Sequence, residues 1–190
     1  MKKIILASAS PRRRELLELL HLPFTVVPAK GEEKTSANDP GEIVEHLARH
    51  KADEVFTLHK DALIIGADTI VYAEGEVLGK PKDRDDAIRM ITTLQGNTHQ
   101  VYTGVCLKYT DEAGNVRENC FHEKTDVTVY PMTDEEICAY ADTEDPYDKA
   151  GGYGIQSGFT RYVRKIDGDY FTVMGLPVAR LYHELPSFTS

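Results

Sequence analysis

Apolar positions along this chain alternate between short continuous runs and helical spacing. Lys3–Ala7 (KIILA) is a short apolar run suited to a buried strand, broken by Ser8, Ala9, Ser10 and Pro11. Leu16, Leu17, Leu19 and Leu20 then follow at helical spacing, which predicts a helix from Pro11 to about His21. Pro23–Val27 reads as a second strand, and the polar stretch Lys30–Gly41 as a loop. Ile43, Leu47, Val55 and Leu58 mark one face of a long helix over Ile43–Leu58. Ala62–Tyr72 (ALIIGADTIVY) is the strongest strand signal, interrupted by the polar gap Gly66–Thr69. A turn at Glu74-Gly75 leads into Glu76–Leu78, and Asp83–Leu94 is amphipathic.

Thr98–Tyr109 and Val116–Tyr130 predict a long hairpin closed across Asp111–Asn115, with Gly114-Asn115 as its turn signal. Thr133 followed by Glu136 is the pattern of a helix-opening capping box. Pro146 ends that region, and a glycine-rich stretch follows. Tyr162–Ile166 and Tyr170–Val173 flank a turn at Asp167–Asp169, and a last helix follows Pro177. This order predicts an α/β fold. The central hairpins argue for a mixed twisted sheet flanked by helices rather than a purely parallel one.

Composition narrows the classes. The 190 residues suit one domain, or two lobes sharing one core. No apolar run approaches the roughly 18 residues of a membrane span, so no membrane partner is expected. The apolar start turns into arginines too early for a signal peptide, which leads us to expect a mature cytoplasmic chain. Cys106, Cys120 and Cys138 form no CxxC pair, and reduced, mostly buried thiols are expected. With 22 basic and 31 acidic side chains, the net charge of −9 argues against general affinity for nucleic acid.

That average hides a local reversal. The first 14 residues carry five basic side chains and no acidic one. Ser10 suits an N-cap, Pro11 the first helical position, and Arg12, Arg13 and Arg14 complete the first turn. Cations are badly placed for the helix there, because its N-terminal dipole end is already positive. Free backbone N–H groups beside Arg12 and Arg13 instead suit an anion such as phosphate. Asp68, in the polar gap of an apolar strand, needs partners or a cation. It could ligate magnesium, accept a proton from water, or make local backbone bonds as a strand-end residue. Glu32 and Glu33 could complete a hard-metal site, while Lys51, Lys80 and Lys82 taken singly read as solvated.

Other phosphate and metal motifs fail. Gly75 to Pro81 (GEVLGKP) has too short a spacing for a Walker A loop and puts Pro81 where a Ser or Thr must hold magnesium. Gly151, Gly152 and Gly154 do not make GxGxxG, and His46 and His50 lack the glutamate of HExxH. The glycines of Asp148–Gln156 would let backbone approach a flat ligand, and the Gln156 amide could pair with a nucleobase edge.

Taken together, these segments resemble the Maf family of nucleoside triphosphate pyrophosphatases. The matching stretches are SASPRR (Ser8–Arg13), Glu32-Glu33, LARHK ending at Lys51, GADT (Gly66–Thr69), GEVLGKP (Gly75–Pro81), DKAGGYGIQ (Asp148–Gln156) and KIDGDYFTVMGLP (Lys165–Pro177). They run in order over nearly the whole chain, so residues 1–190 are expected to form one Maf-like domain. Within the family, ADT and GIQ resemble the branch acting on dTTP and UTP. The family's DKAGAYGIQ has Gly152 in its alanine position here.

The resemblance implies two lobes around a central cleft, like inosine triphosphate pyrophosphatases. It marks Asp68 as proton acceptor, with Arg13, Glu33, Lys51 and Lys80 in the active cleft. Ser8, Arg12, Arg13, Thr69 and Gln156 become substrate-binding residues, of which Arg12, Thr69 and Gln156 set specificity. Glu33 and Asp68 are the expected ligands of a divalent cation, Mg2+ first and Mn2+ or Co2+ as alternatives. The implied reaction is metal-assisted water attack at the α-phosphorus of dTTP, UTP or a modified pyrimidine triphosphate, releasing monophosphate and pyrophosphate. The rival reading is a non-catalytic binder of nucleotide or nucleic acid linked to cell division and septum formation. Binding a polymer would need an extended basic face with aromatic stacking positions, and the chain has no Trp; its acidic surface is compatible with a homodimer.

Overall fold

The structure, a computed structural model, describes residues 2–31 and 35–186. Its elements are β1 (Lys3–Leu6), α1 (Pro11–Glu18), β2 (Phe24–Val26), α2 (Pro40–Leu58), β3 (Ala62–Ala73), β4 (Glu76–Leu78) and α3 (Arg84–Leu94). Then come β5 (Thr98–Thr110), β6 (Val116–Val129), α4 (Asp134–Ala141), β7 (Val163–Asp167), α5 (Tyr170–Met174) and α6 (Val178–Glu184). Short 3-10 turns occupy parts of the stretch from Asp145 to Tyr162. The strands form a seven-stranded sheet in the order β2-β1-β3-β5-β6-β7, with β4 paired to β3. β1 runs parallel to β2 and β3, whereas β3–β4 and β6–β7 are antiparallel, so the sheet is mixed as the hairpins required.

Two compact units divide the chain. One comprises Met1–Asp68, Thr103–Glu123 and Gly175–Ser190; the other comprises Thr69–Tyr102 and Lys124–Met174. The first unit packs α2 on the sheet through Ala48, Ala52, Val55 and Phe56, which meet Ile5, Ala7, Ala62, Ile64 and Cys106. Its N-terminus is fixed by Asp39, whose carboxylate accepts from the N–H groups of Gly41 and Glu42, with Pro40 at the first helical position. The second unit buries Ala87, Met90, Ile91 and Leu94 of α3 together with Tyr140, Tyr153, Phe159 and Tyr162, whose rings contact one another. The α4 capping box forms as its sequence predicts, with Thr133 and Glu136 satisfying each other's N–H.

The apolar pattern misleads in two places. α1 ends at Glu18, so Leu16 and Leu17 are buried while Leu19 lies exposed beyond the helix. On α2, Leu58 is 76% exposed, and the inner face is built on small Ala48 and Ala52 instead. Large apolar residues were the wrong guide because close helix–strand approach needs small ones. Tyr170–Met174, on the far side of the Asp167–Asp169 turn from β7, is a short helix.

The expectation of three reduced thiols is also corrected: Cys106 and Cys120 form a disulfide, and Cys138 is a free thiol. The reason lies in the hairpin. Side chains meet across β5 and β6 at Thr98–Thr128, Cys106–Cys120 and Lys108–Glu118, the evenly matched spacing that an antiparallel hairpin gives. The two cysteine Cα atoms therefore lie only 4.1 Å apart, although 14 positions separate them in the chain.

Candidate active site

Two glycines set the geometry of the first unit's chemistry. A Cβ on Gly66 of β3 would sit 2.2 Å from the Ala48 carbonyl oxygen, and one on Gly104 of β5 would sit 2.3 Å from that of Val44. Both positions therefore admit the α2 backbone to a distance that no side chain allows. Ala48 and Lys51 are three residues apart and share a helix face, while Gly66 and Asp68 are two apart and share a strand face. The close contact between Ala48 and Gly66 thus continues, one helical turn on, as the ion pair between the Lys51 ammonium and Asp68 Oδ1. Asp68 is buried and Lys51 half-buried, so the pair works in a partly dehydrated setting where charges interact strongly.

The basic N-terminal turn forms the capped helix start that its sequence predicts. Ser10 is the N-cap of α1, its hydroxyl accepting from the Arg13 N–H, and Pro11 begins the helix. No acidic residue occupies the first turn. Ser8 is buried, and its hydroxyl oxygen accepts from the Ser10 N–H at 3.2 Å and from Arg13 Nη1 at 3.4 Å. Arg13 Nε donates to the carbonyl of Gly175 at 2.8 Å. Arg13 is thereby held in place from Ser8 and Gly175 together, while Arg14 pairs outward with Glu18.

In the second unit, Thr69 shares its strand face with Val71, and that face meets the glycine-rich segment. A Cβ on Gly151 would lie 2.7 Å from Val71 Cγ2, and one on Gly152 would lie 3.0 Å from Pro81 Cγ. Both glycines also have positive φ (71° and 72°), a conformation that L side chains resist. The Gly151 N–H donates to the Gly79 carbonyl at 3.0 Å, joining the segment to the residue before Lys80. Thr69, Lys80 and Gln156 thus lie on three neighbouring stretches of one unit, Lys80 and Gln156 being exposed. The Ala-to-Gly change at position 152 suits that positive φ.

The sequence profile of the Maf-like protein family matches residues 3–188. This chain belongs to the Maf-like family. Among Maf-like relatives, the dTTP/UTP pyrophosphatase of Agathobacter rectalis is 52% identical over 198 aligned positions, covering 97% of this chain and 97% of the relative. The dTTP/UTP pyrophosphatase of Carboxydothermus hydrogenoformans is 50% identical, covering 96% of this chain and 97% of the relative. That of Bacillus cytotoxicus is 48% identical, covering 100% and 97%. Among solved structures, the Staphylococcus aureus Ham1 protein matches with a TM-score of 0.50 at 15% identity, over 67% of this chain and 72% of that one. That likeness concerns the fold.

Of the residues expected to act, this Maf-like chain brings Ser8 and Arg13 together in one cluster and Lys51 and Asp68 in a second. Arg12 lies half-buried in the first turn of α1. Glu32 and Glu33 lie outside the described residues. Among the described residues, the group of metal-ligand types gathered within reach of one ion is Cys106, Glu118 and Cys120, and both its sulfurs are spent in the disulfide. Sequence reasoning did not single out Asp145 or Tyr140. The Tyr140 hydroxyl, the Ser157 hydroxyl and the Lys149 ammonium all donate to the Asp145 carboxylate. Burial pushes that carboxyl's pKa up, but the three donors outweigh it and hold it below the usual value. The i, i+4 spacing of Asp145 and Lys149 was the one available signal, and Pro146 between them obscured it.

Proposed function

We propose that this protein hydrolyses dTTP and UTP, and modified pyrimidine triphosphates of similar edge pattern, to the nucleoside monophosphate and pyrophosphate. The observation that carries the chemistry is the Lys51–Asp68 pair, a buried carboxylate fixed beside a half-buried cation in a partly dehydrated setting. The names of relatives at about half identity over nearly their full length support the substrate class.

In this reading, Asp68 orients a water and accepts its proton as the oxygen attacks the α-phosphorus. The bond from that phosphorus to the α–β bridging oxygen breaks, and pyrophosphate leaves. Ser8, Arg12, Arg13, Lys51 and Lys80 bind and neutralise the phosphates, the main demand of phosphoryl chemistry. The Ser8 and Gly175 contacts hold Arg13 in position before substrate arrives, so little reorganisation is needed. Thr69 and Gln156 read the pyrimidine edge, and a wrong base leaves their polar groups unpaired.

A divalent cation fits the donor chemistry at Asp68, since Mg2+ takes one or two carboxylates and completes its shell with water and substrate phosphates. Glu33 and Asp68 would hold it, with Mn2+ or Co2+ as alternatives. When bound, it supplies charge neutralisation and alignment of the phosphates.

The test is incubation with dTTP or UTP and Mg2+, with products resolved by ion-exchange chromatography. Monophosphate and pyrophosphate in equal amounts are expected. Diphosphate with inorganic phosphate would replace this reading by a phosphatase, and binding without turnover would replace it by a regulatory binder.

A further inference from the structure

The segment that carries Gln156 is held by one carboxylate. Gly154, two residues before Gln156, donates its N–H to the Tyr140 hydroxyl at 3.4 Å. Its carbonyl oxygen lies 2.8 Å from the Ser157 hydroxyl. Tyr140 and Ser157 in turn both donate to Asp145 Oδ2. Lys149, at the start of the segment, donates to Asp145 Oδ1 at 2.9 Å and to the Asp145 carbonyl at 2.7 Å. Gly154 has no room for a side chain, because a Cβ would lie 2.5 Å from Ser157 Oγ and 2.8 Å from Lys149 Cε. The Ile155 carbonyl is bound by Thr160 Oγ1 at 2.6 Å. Tyr153, Ile155 and Phe159 are buried, and Gln156 alone among its immediate neighbours in Tyr153–Gln156 is exposed.

This arrangement is more than a folded loop requires. The carboxylate receives donors from α4, from the start of the glycine-rich segment and from its end. Tyr140 and Ser157 also bond the N–H and the carbonyl of Gly154, and Lys149 Cε packs against that glycine. With both oxygens taken by protein donors, Asp145 is poorly placed to bind substrate itself, and its effect must pass through the segment.

We propose that Asp145 is the positioning residue for base recognition: by tying Tyr140, Lys149 and Ser157 together it fixes the backbone that presents the Gln156 amide to the pyrimidine. The inference rests on the reading of Gln156 as a base-contacting residue. An amide recognises a base edge only when its donor and acceptor arrive at set positions. Misplacement by about 1 Å costs on the order of a hundredfold where geometry decides the step. In Asp145→Asn, one oxygen becomes an NH2 that cannot accept from Tyr140, Ser157 or Lys149.

The experiment measures kcat/KM for UTP and for GTP in the wild type and in Asp145→Asn, Ser157→Ala and Gln156→Ala. Asp145→Asn is expected to lower the UTP-to-GTP preference about tenfold, through a raised KM for UTP. Asp145→Glu, which restores an all-acceptor group, should recover part of it. A purely structural role lowers the melting temperature and the active fraction, which scale both substrates equally and leave the ratio unchanged. If Asp145→Asn does not fold, Ser157→Ala decides the matter through the same ratio. Gln156→Ala separates the two claims. An unchanged preference in Gln156→Ala overturns base reading by that residue and the positioning role with it. A changed preference there, with wild-type preference in Asp145→Asn or Ser157→Ala, overturns the positioning role alone.

Discussion

Lys51 on α2 and Asp68 on β3 form an ion pair one helical turn beyond the point where the Ala48 carbonyl meets Gly66. The pair is therefore a product of backbone approach: small residues on both elements bring a long side chain and a short one to the same place. Breaking a buried pair by removing one partner leaves the other charge uncompensated, at a cost of roughly 3 kcal/mol. Lys51→Met should lower stability by about that amount and remove most activity. Lys51→Met combined with Asp68→Asn should recover stability in a thermal melt while remaining inactive. Recovered activity in the double variant would show that neither residue acts in the chemistry.

Gly66→Ala tests the approach itself. The added methyl would meet a backbone oxygen at 2.2 Å, so α2 must shift away from β3. The expected loss is about 1–3 kcal/mol, typical of overpacking, together with reduced turnover because Lys51 moves with the helix. Gly75→Ala is a control at an open turn, where the added Cβ meets no atom within 4 Å and only the positive φ is strained. Urea denaturation should place the two variants in that order.

His99 is buried, and its Nε2 lies 2.6 Å from the Tyr153 hydroxyl. Burial pushes its pKa down from 6.5 to about 4. The unfolded chain therefore binds a proton near pH 6.5 that the folded chain refuses until about pH 4, and stability falls as pH drops through that window. At pH 5.5 this one residue should cost about 1 kcal/mol relative to pH 7.5. Melting curves of wild type and His99→Gln at the two pH values should show a smaller acid loss in the variant.

Much of the fold could be read from the chain before any geometry was known. The apolar runs of β3, the hairpin of β5 and β6 and the α4 capping box each carry a local signal. What escaped depended on pairing at a distance. Glycines 66 and 104 look like strand breakers in sequence, yet they are the contact points for a helix that begins more than twenty residues before Gly66. Leu58 looked like core because the helical period includes it, and it is exposed because the true seam uses alanines. Among candidate site residues, Arg13 and Asp68 announced themselves by charge in unfavourable places, whereas Lys51 read as solvated and entered only through the family resemblance. Their partners did not: Gly175, which holds Arg13, offers only a carbonyl. Asp145 stayed hidden because its three donors converge only in the folded second unit.

The Cys106–Cys120 disulfide makes a simple chemical forecast. Denatured without reductant, the protein should expose one reactive thiol, that of Cys138, and after reduction all three. Closing a loop of 14 residues should add about 3 kcal/mol of stability by constraining the unfolded chain. Melts with and without reductant read that difference, and three reactive thiols without reductant would mean the bond is absent.

Hydrolysis of UTP in 18O-labelled water tests the central claim most directly. Attack at the α-phosphorus, with Asp68 accepting the proton, puts one labelled oxygen into UMP and none into pyrophosphate, and Asp68→Asn should slow that incorporation at least about a hundredfold. Label in the pyrophosphate or in inorganic phosphate, or incorporation unaffected by Asp68→Asn, would contradict the account.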